Sequence, residues 1–240
     1  MPLRFSLMAV CWSLMLAVAA AASIAAAQDI FVTPIAGAPF SAVVRVERSL
    51  VQPDGSMVNL KTIRDIARDS RGRIHNEARS LVPASSTTTP EVVSIHLYDP
   101  QTRVSTVLNP AERTFWTTTV NRPPATVPPA LVAARTGNGI PANDFTKEED
   151  LGIQDMEGVA AHGVRESQTI PAGNGKDILI TDEYWYSEDL RINLMIKHSD
   201  PRTGAVTLTV AQVTRSEPDA ALFEVPQGYT LARAGRGEKQ

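Results

Sequence analysis

The sequence predicts a mainly β protein folded as an antiparallel meander, and three observations carry that reading. Apolar residues recur at every second position in four segments, the period of a half-buried strand and not the 3.6 of a helix. Turn signals of the hairpin type separate such segments, and consecutive strands joined by short turns pair antiparallel. A Pro/Gly-rich stretch breaks the pattern only in the middle, where it reads as a long connection across one sheet.

The chain of 240 residues opens with a short basic start, Met1 to Arg4, then an apolar run from Phe5 to Ala20, then Ala25-x-Ala27 just before Gln28. That three-part layout predicts a secretory signal peptide over residues 1–27, cleaved after Ala27. The run is too short and alanine-rich for a membrane span, and nothing later approaches the ~20 apolar residues a span requires. The single cysteine, Cys11, lies inside the leader. A lipid-anchored lipoprotein would carry its cysteine at the end of the run, which argues against that form. Without cysteine, the exported chain must be stabilised by its core alone. A chain of that size buries roughly 70% of its unfolded surface, enough for a single domain, here set at residues 28–231.

Taken in order, "FSAVVRVERS" turns Ala42, Val44 and Val46 inward and Arg45 and Glu47 outward. "EVVSIHLYD" puts Val93, Ile95 and Leu97 on one face. "LRINLMIKH" sets Leu190, Ile192, Leu194 and Ile196 against Arg191, Asn193 and Lys197, and "AVTLTVAQV" aligns Val206, Leu208 and Val210. Turns are predicted at Gln52–Ser56, Asp69–Gly72, Asp99–Thr102, Asn109–Glu112, Ala172–Lys176 and Asp200–Gly204, from Pro, Asp, Asn and Gly at turn positions. Residues 121–150 form the insertion, with one or two short helices; "PPALVAARTG" has Pro128 or Pro129 at its first turn and Gly137 just past its end. "KEED", Lys147–Asp150, reads as a solvated helix start, with Thr146 and Glu149 as a capping box. About six strands precede the insertion and about four follow. The tail over residues 232–240 reads as disordered by composition.

With 23 Lys and Arg against 26 Asp and Glu, the net charge is −3. The basic residues are scattered, which excludes nucleic acid as the main partner. The local exception, "RDSRGR" from Arg68 to Arg73, reads equally well as a turn with solvated charges. The sequence holds no Gly-x-Ser-x-Gly elbow, Ser-x-x-Lys, His-Glu-x-x-His or Walker loop, so no catalytic residue is assigned. His75, His96, His162 and His198 fall in separate predicted strands without metal-ligand spacing, so no metal or cofactor is assigned; His96 and His198, beside turns, are expected to face solvent. Glu183, Glu188 and Asp189 are a weak candidate set of paired carboxylates for glycoside hydrolysis.

From Leu151 onward, "EGV" followed by G-x-R, "YWYS-x-DL", "DPR-x-G" and the closing "EPD-x-x-LFEVP-x-GY", with "ARDSRGR" earlier, resemble a group of uncharacterised secreted bacterial proteins. The closing phrase is also similar to the ending of many proteins of the lipoprotein-carrier superfold of LolA, LolB and the RseB-type stress sensors. That resemblance implies a curved, unclosed half barrel with helices on its concave side and a hydrophobic groove for an acyl chain or a lipidated protein. No ligand-contact residue of the carriers transfers by motif.

The aromatic run in "EYWYSEDL" has two readings. Tyr184 and Tyr186 share one strand face and Trp185 takes the other. In the first reading the strand lies at the rim of the sheet, with the rings closing the core and the tyrosine hydroxyls in water. In the second, Tyr184, Trp185 and Tyr186 join Phe115 and Trp116 at the mouth of a ligand groove. The functional expectation is an exported, non-enzymatic envelope protein that binds a hydrophobic or lipid-bearing ligand, a lipoprotein among them. Its alternatives are an RseB-like protein-interaction or regulatory module and a polysaccharide-binding protein.

Overall fold

The computed structural model describes residues 30–121, 145–173 and 175–232. The leader with Cys11, the helix expected at Pro128–Gly137 and the tail beyond residue 232 lie outside the described residues. Thirteen strands form one open, curved sheet. They are β1 (Phe40–Val51), β2 (Met57–Arg68), β3 (Ile74–Arg79), the two-residue β4 (Val82–Pro83), β5 (Val92–Asp99), β6 (Val104–Asn109) and β7 (Thr114–Thr119). Then come β8 (Thr146–Met156), β9 (Val159–Ile170), β10 (Ile178–Ser187), β11 (Ile192–Asp200), β12 (Gly204–Thr214) and the two-residue β13 (Thr230–Leu231). A 3₁₀ turn at Ala220–Phe223 is the helical element among the described residues.

All six expected turns join paired strands, and two meanders result. One runs from β1 through β2, β3, β5 and β6 to β7, the other from β12 back through β11, β10 and β9 to β8. They are stitched by β1 against β12, with Val44 opposite Val210 and Val46 opposite Leu208. Every pair is antiparallel except β13 beside β7. The core lies on the face shared by Phe40, Ala42, Val44 and Val46, continued across the stitch by Val206, Leu208, Val210 and Ile196, all buried. Ile30 and Val32 of the N-terminal segment pack onto it. Each such side chain contributes roughly 1.5–3 kcal/mol by leaving water.

Three expectations are corrected. "KEED" starts no helix: Lys147–Asp150 belongs to β8, paired with β9 along its length. As the last strand of the sheet β8 is mostly exposed, only Leu151 and Met156 packing partly on the core, and a slip at Asp150/Gly152 breaks its alternation, while its charges discourage further pairing at this edge. Asn193, expected outside, is buried, because an irregularity between Trp185 and Tyr186 slips the register so that Tyr186 faces Asn193 while Trp185 faces Met195. The Arg68–Arg73 turn is not a patch of solvated charge. Arg68 is fully buried, and only Arg71 reaches well into solvent.

That turn is a clamp. The Arg68 guanidinium donates to the carbonyls of Ala38 (2.9 and 2.7 Å), Thr33 (2.8 Å) and Leu190 (2.9 Å), and lies 5.0 Å from the Phe40 ring centroid. Burial pulls its pKa down to about 10. Asp69 accepts from the backbone of Arg71 and Arg73 and from the Arg73 side chain at 2.6 Å, which fixes the turn. Gly72 takes φ +84°, where a Cβ would meet the Ile35 carbonyl carbon at 3.0 Å; glycine alone suits that approach. One motif thereby ties the N-terminal segment to both meanders.

Candidate functional site

The face opposite the core carries a groove of about 610 Å³ over the first meander. Val43, alternating with Ala42 and Val44, points into it, as do Asp65, His75, Glu77, Ile95 and Leu97. The register explains the floor. Glu77 stands opposite Ile95, Ile95 opposite Leu108, Leu108 opposite Phe115, and Phe115 beside Leu231. An apolar row therefore runs across the strands from a polar end at Asp65 and Glu77 to the sheet edge at β13.

Arg79 bridges the polar end, 3.0 Å from Asp65 and 2.5 Å from Glu77. Burial, opposed by Arg79 and reinforced by the charge of Asp65, raises the Glu77 pKa. His75 is buried, its Nδ1 2.8 Å from the Leu222 carbonyl, so this nitrogen donates. Burial lowers its pKa and favours the neutral ring. Among the described residues no three His, Asp or Glu side chains form a metal-ligand set.

The roof is the segment after β12. Glu217 accepts from the Ser70 amide and hydroxyl at 3.1 Å, Asp219 caps the 3₁₀ turn, and Phe223 buries its ring 4.9 Å from the Arg73 guanidinium. Thr230 then donates to the Arg113 carbonyl, and the chain joins β7 as β13. The closing phrase "EPDAALFEVP" is thus the cover of the groove. Its apolar-aromatic pair is visible in the sequence, but the face it covers is not.

The five aromatic candidates do not gather. Phe115 stands opposite Leu108 without itself lining the groove, whereas Trp116, the next residue along β7, is on the other face and 46% exposed. β10 is eight strand positions from β7 and lies inside the sheet, not at its rim. There Trp185 and Tyr186 are buried and Tyr184 is half-buried. Trp185 lies over Gly163, where any Cβ would come within 2.8 Å of its ring. Its indole N–H donates to Glu183 at 2.7 Å. Burial works to raise the Glu183 pKa, but this bond, the Arg165 fork and Lys197 hold it below the usual carboxylate range. Burial, then Asp182 and Glu166, pushes the Tyr184 phenol up. Of the histidines expected in solvent, His96 is exposed and His198 is half-buried against Asp182 at 2.8 Å.

No family model and no curated protein matches the chain. Among solved structures it is similar to MucB at 10% identity and TM-score 0.39, covering 88% of this chain and 64% of that one, so it spans less than two thirds of MucB's length. It is also similar to LprF from Mycobacterium bovis (13% identity, TM-score 0.29, covering 76% of this chain and 90% of that one). A LolA superfamily protein from Nitrosomonas europaea gives 11% identity, TM-score 0.29 and coverage of 80% and 92%. The fold described above rests on the strand pairing of this chain itself.

Proposed function

We propose that this is an exported envelope protein that binds, without transforming, a hydrophobic or lipid-bearing ligand along the Ile95–Leu108 row beneath the Glu217–Pro226 segment. The observation that carries the reading is the groove itself: about 610 Å³, floored by Ile95, Leu97 and Leu108, with Asp65 and Glu77 at one end. A pocket of that size that sets an apolar floor beside polar groups such as Asp65, His75 and Glu77 suits a small amphipathic ligand. Each methylene removed from water contributes ~0.8 kcal/mol, so ten methylenes supply ~8 kcal/mol before ordering losses. Export rests on the leader-like residues 1–27. The carrier-type names among similar structures agree with the reading without carrying it.

The polysaccharide alternative needs an aromatic ladder on one exposed face; Phe115 and Trp116 lie on opposite faces of β7, and Trp185 is buried. Native mass spectrometry of detergent-free protein, with organic extraction, tests the proposal. A co-purified acyl-bearing molecule, lost on Leu108→Glu, is the expected result. A bare polypeptide that also fails to take up added fatty acid would refute the groove and turn attention to an interaction module.

A further inference from the structure

We propose that Glu217–Pro226 is a gate that must lift for ligand to enter, latched by the single ring of Phe223. This inference rests on the groove reading above and adds how the site is controlled. The segment forms the roof through Ala221, Leu222, Glu224 and Pro226, yet Phe223 is its one buried side chain apart from the half-buried Pro218. Leu222 and Val225 stay 38% and 37% exposed although the sheet lies beneath them. Little apolar area therefore holds the roof down, and segments of that kind open locally long before the whole domain does.

The remaining ties are few and local. Two 3₁₀ bonds, Leu222 to Asp219 at 3.1 Å and Glu224 to Ala221 at 3.3 Å, shape the turn but do not bind it to the sheet. Three contacts do: the exposed Ser70–Glu217 bonds, the His75–Leu222 bond and Phe223 against Arg73. The segment's far side has a natural pivot, since Gly228 sits at φ +85° just before β13 fixes the chain to β7. The far anchor and β12 stay in place while the ten residues Glu217–Pro226 swing.

Two measurements on the full chain test this. In hydrogen exchange, the Leu222 and Glu224 amides should exchange at least 100-fold faster than the β1–β12 ladder amides. In stopped-flow binding of the neutral apolar probe N-phenyl-1-naphthylamine, Phe223→Ala should raise both association and dissociation rates roughly tenfold. Phe223→Leu, a milder change, serves if the alanine variant does not fold. Exchange of the roof as slow as the ladder overturns the gate whatever the probe does. Fast exchange with probe rates unchanged by the variant overturns the gate and leaves the groove standing. A wild-type protein that takes up no probe removes the groove and the gate with it.

Discussion

Replacing Arg68 by Met tests the clamp most directly, because the side chain keeps an unbranched apolar stem and loses its charge and donors. The carbonyls of Thr33, Ala38 and Leu190 lose their guanidinium partner; Thr33 keeps its bond from the Ile35 amide, and the Ala38 contact is only part-buried. Leaving the buried Leu190 carbonyl without this partner costs about 1–3 kcal/mol, and losing the charged-donor bonds at Thr33 and Ala38 about 1.5–3 kcal/mol each, roughly 6 kcal/mol together. Against this, the variant no longer buries a cation. Burial, which holds the Arg68 pKa down at about 10, puts that relief at about 3 kcal/mol. The net loss is then about 3 kcal/mol, a large share of the stability of an ordinary domain. Urea unfolding followed by tryptophan fluorescence should show the midpoint falling by roughly 1–3 M with the slope unchanged. Arg68→Lys should also destabilise, since a single ammonium cannot reproduce the planar fork. A midpoint within about 0.3 M of wild type for Arg68→Met would show that the three carbonyls find other donors, and the clamp argument would fail.

Gly163→Ala should disturb Trp185, because the new Cβ falls 2.8–2.9 Å from its ring and from the Leu151 Cβ; a loss of about 1–3 kcal/mol and an altered near-ultraviolet dichroism signal are expected. Burial works to raise the Asp69 pKa, but hydrogen bonds from Arg73 and Arg71 lower it overall. Its stabilising contribution is therefore complete above the usual carboxylate pKa of about 4 and fades as pH falls through the lower folded value. Comparing acid unfolding of wild type and Asp69→Asn, the variant should be less stable at pH 7 and the difference should shrink toward pH 2. Trp116→Ala should change stability by less than about 0.5 kcal/mol and leave probe uptake intact, whereas Leu108→Glu should abolish uptake; equal effects would put the binding face on the wrong side of β7.

Much of the architecture is legible because strand faces and tight turns are local properties. Val44 and Val46 alternate with Arg45 and Glu47, and that alone decides which side is buried. Legibility fails where two-residue periodicity fails. β8 is mostly exposed and so looks like any charged segment, and the slip opposite Trp185 turns Asn193 inward against the pattern of its neighbours. Of the aromatic candidates, Phe115 stands opposite Leu108 in the register, but it is not among the residues that line the groove. Tyr184, Trp185 and Tyr186 belong to a distant strand, since aromatic area in a strand signals burial as readily as binding.

The sequence by itself determined the four alternating strands, the six hairpin turns and most of the inward faces, because neighbours in the chain set pleat and turn geometry. It did not decide that β1 pairs with β12, that Arg68 pins Thr33, Ala38 and Leu190, or that Phe223 closes a roof on Arg73. Those contacts join residues far apart in the chain. Their energies depend on which faces meet once the sheet curves, so only the tertiary structure settles them.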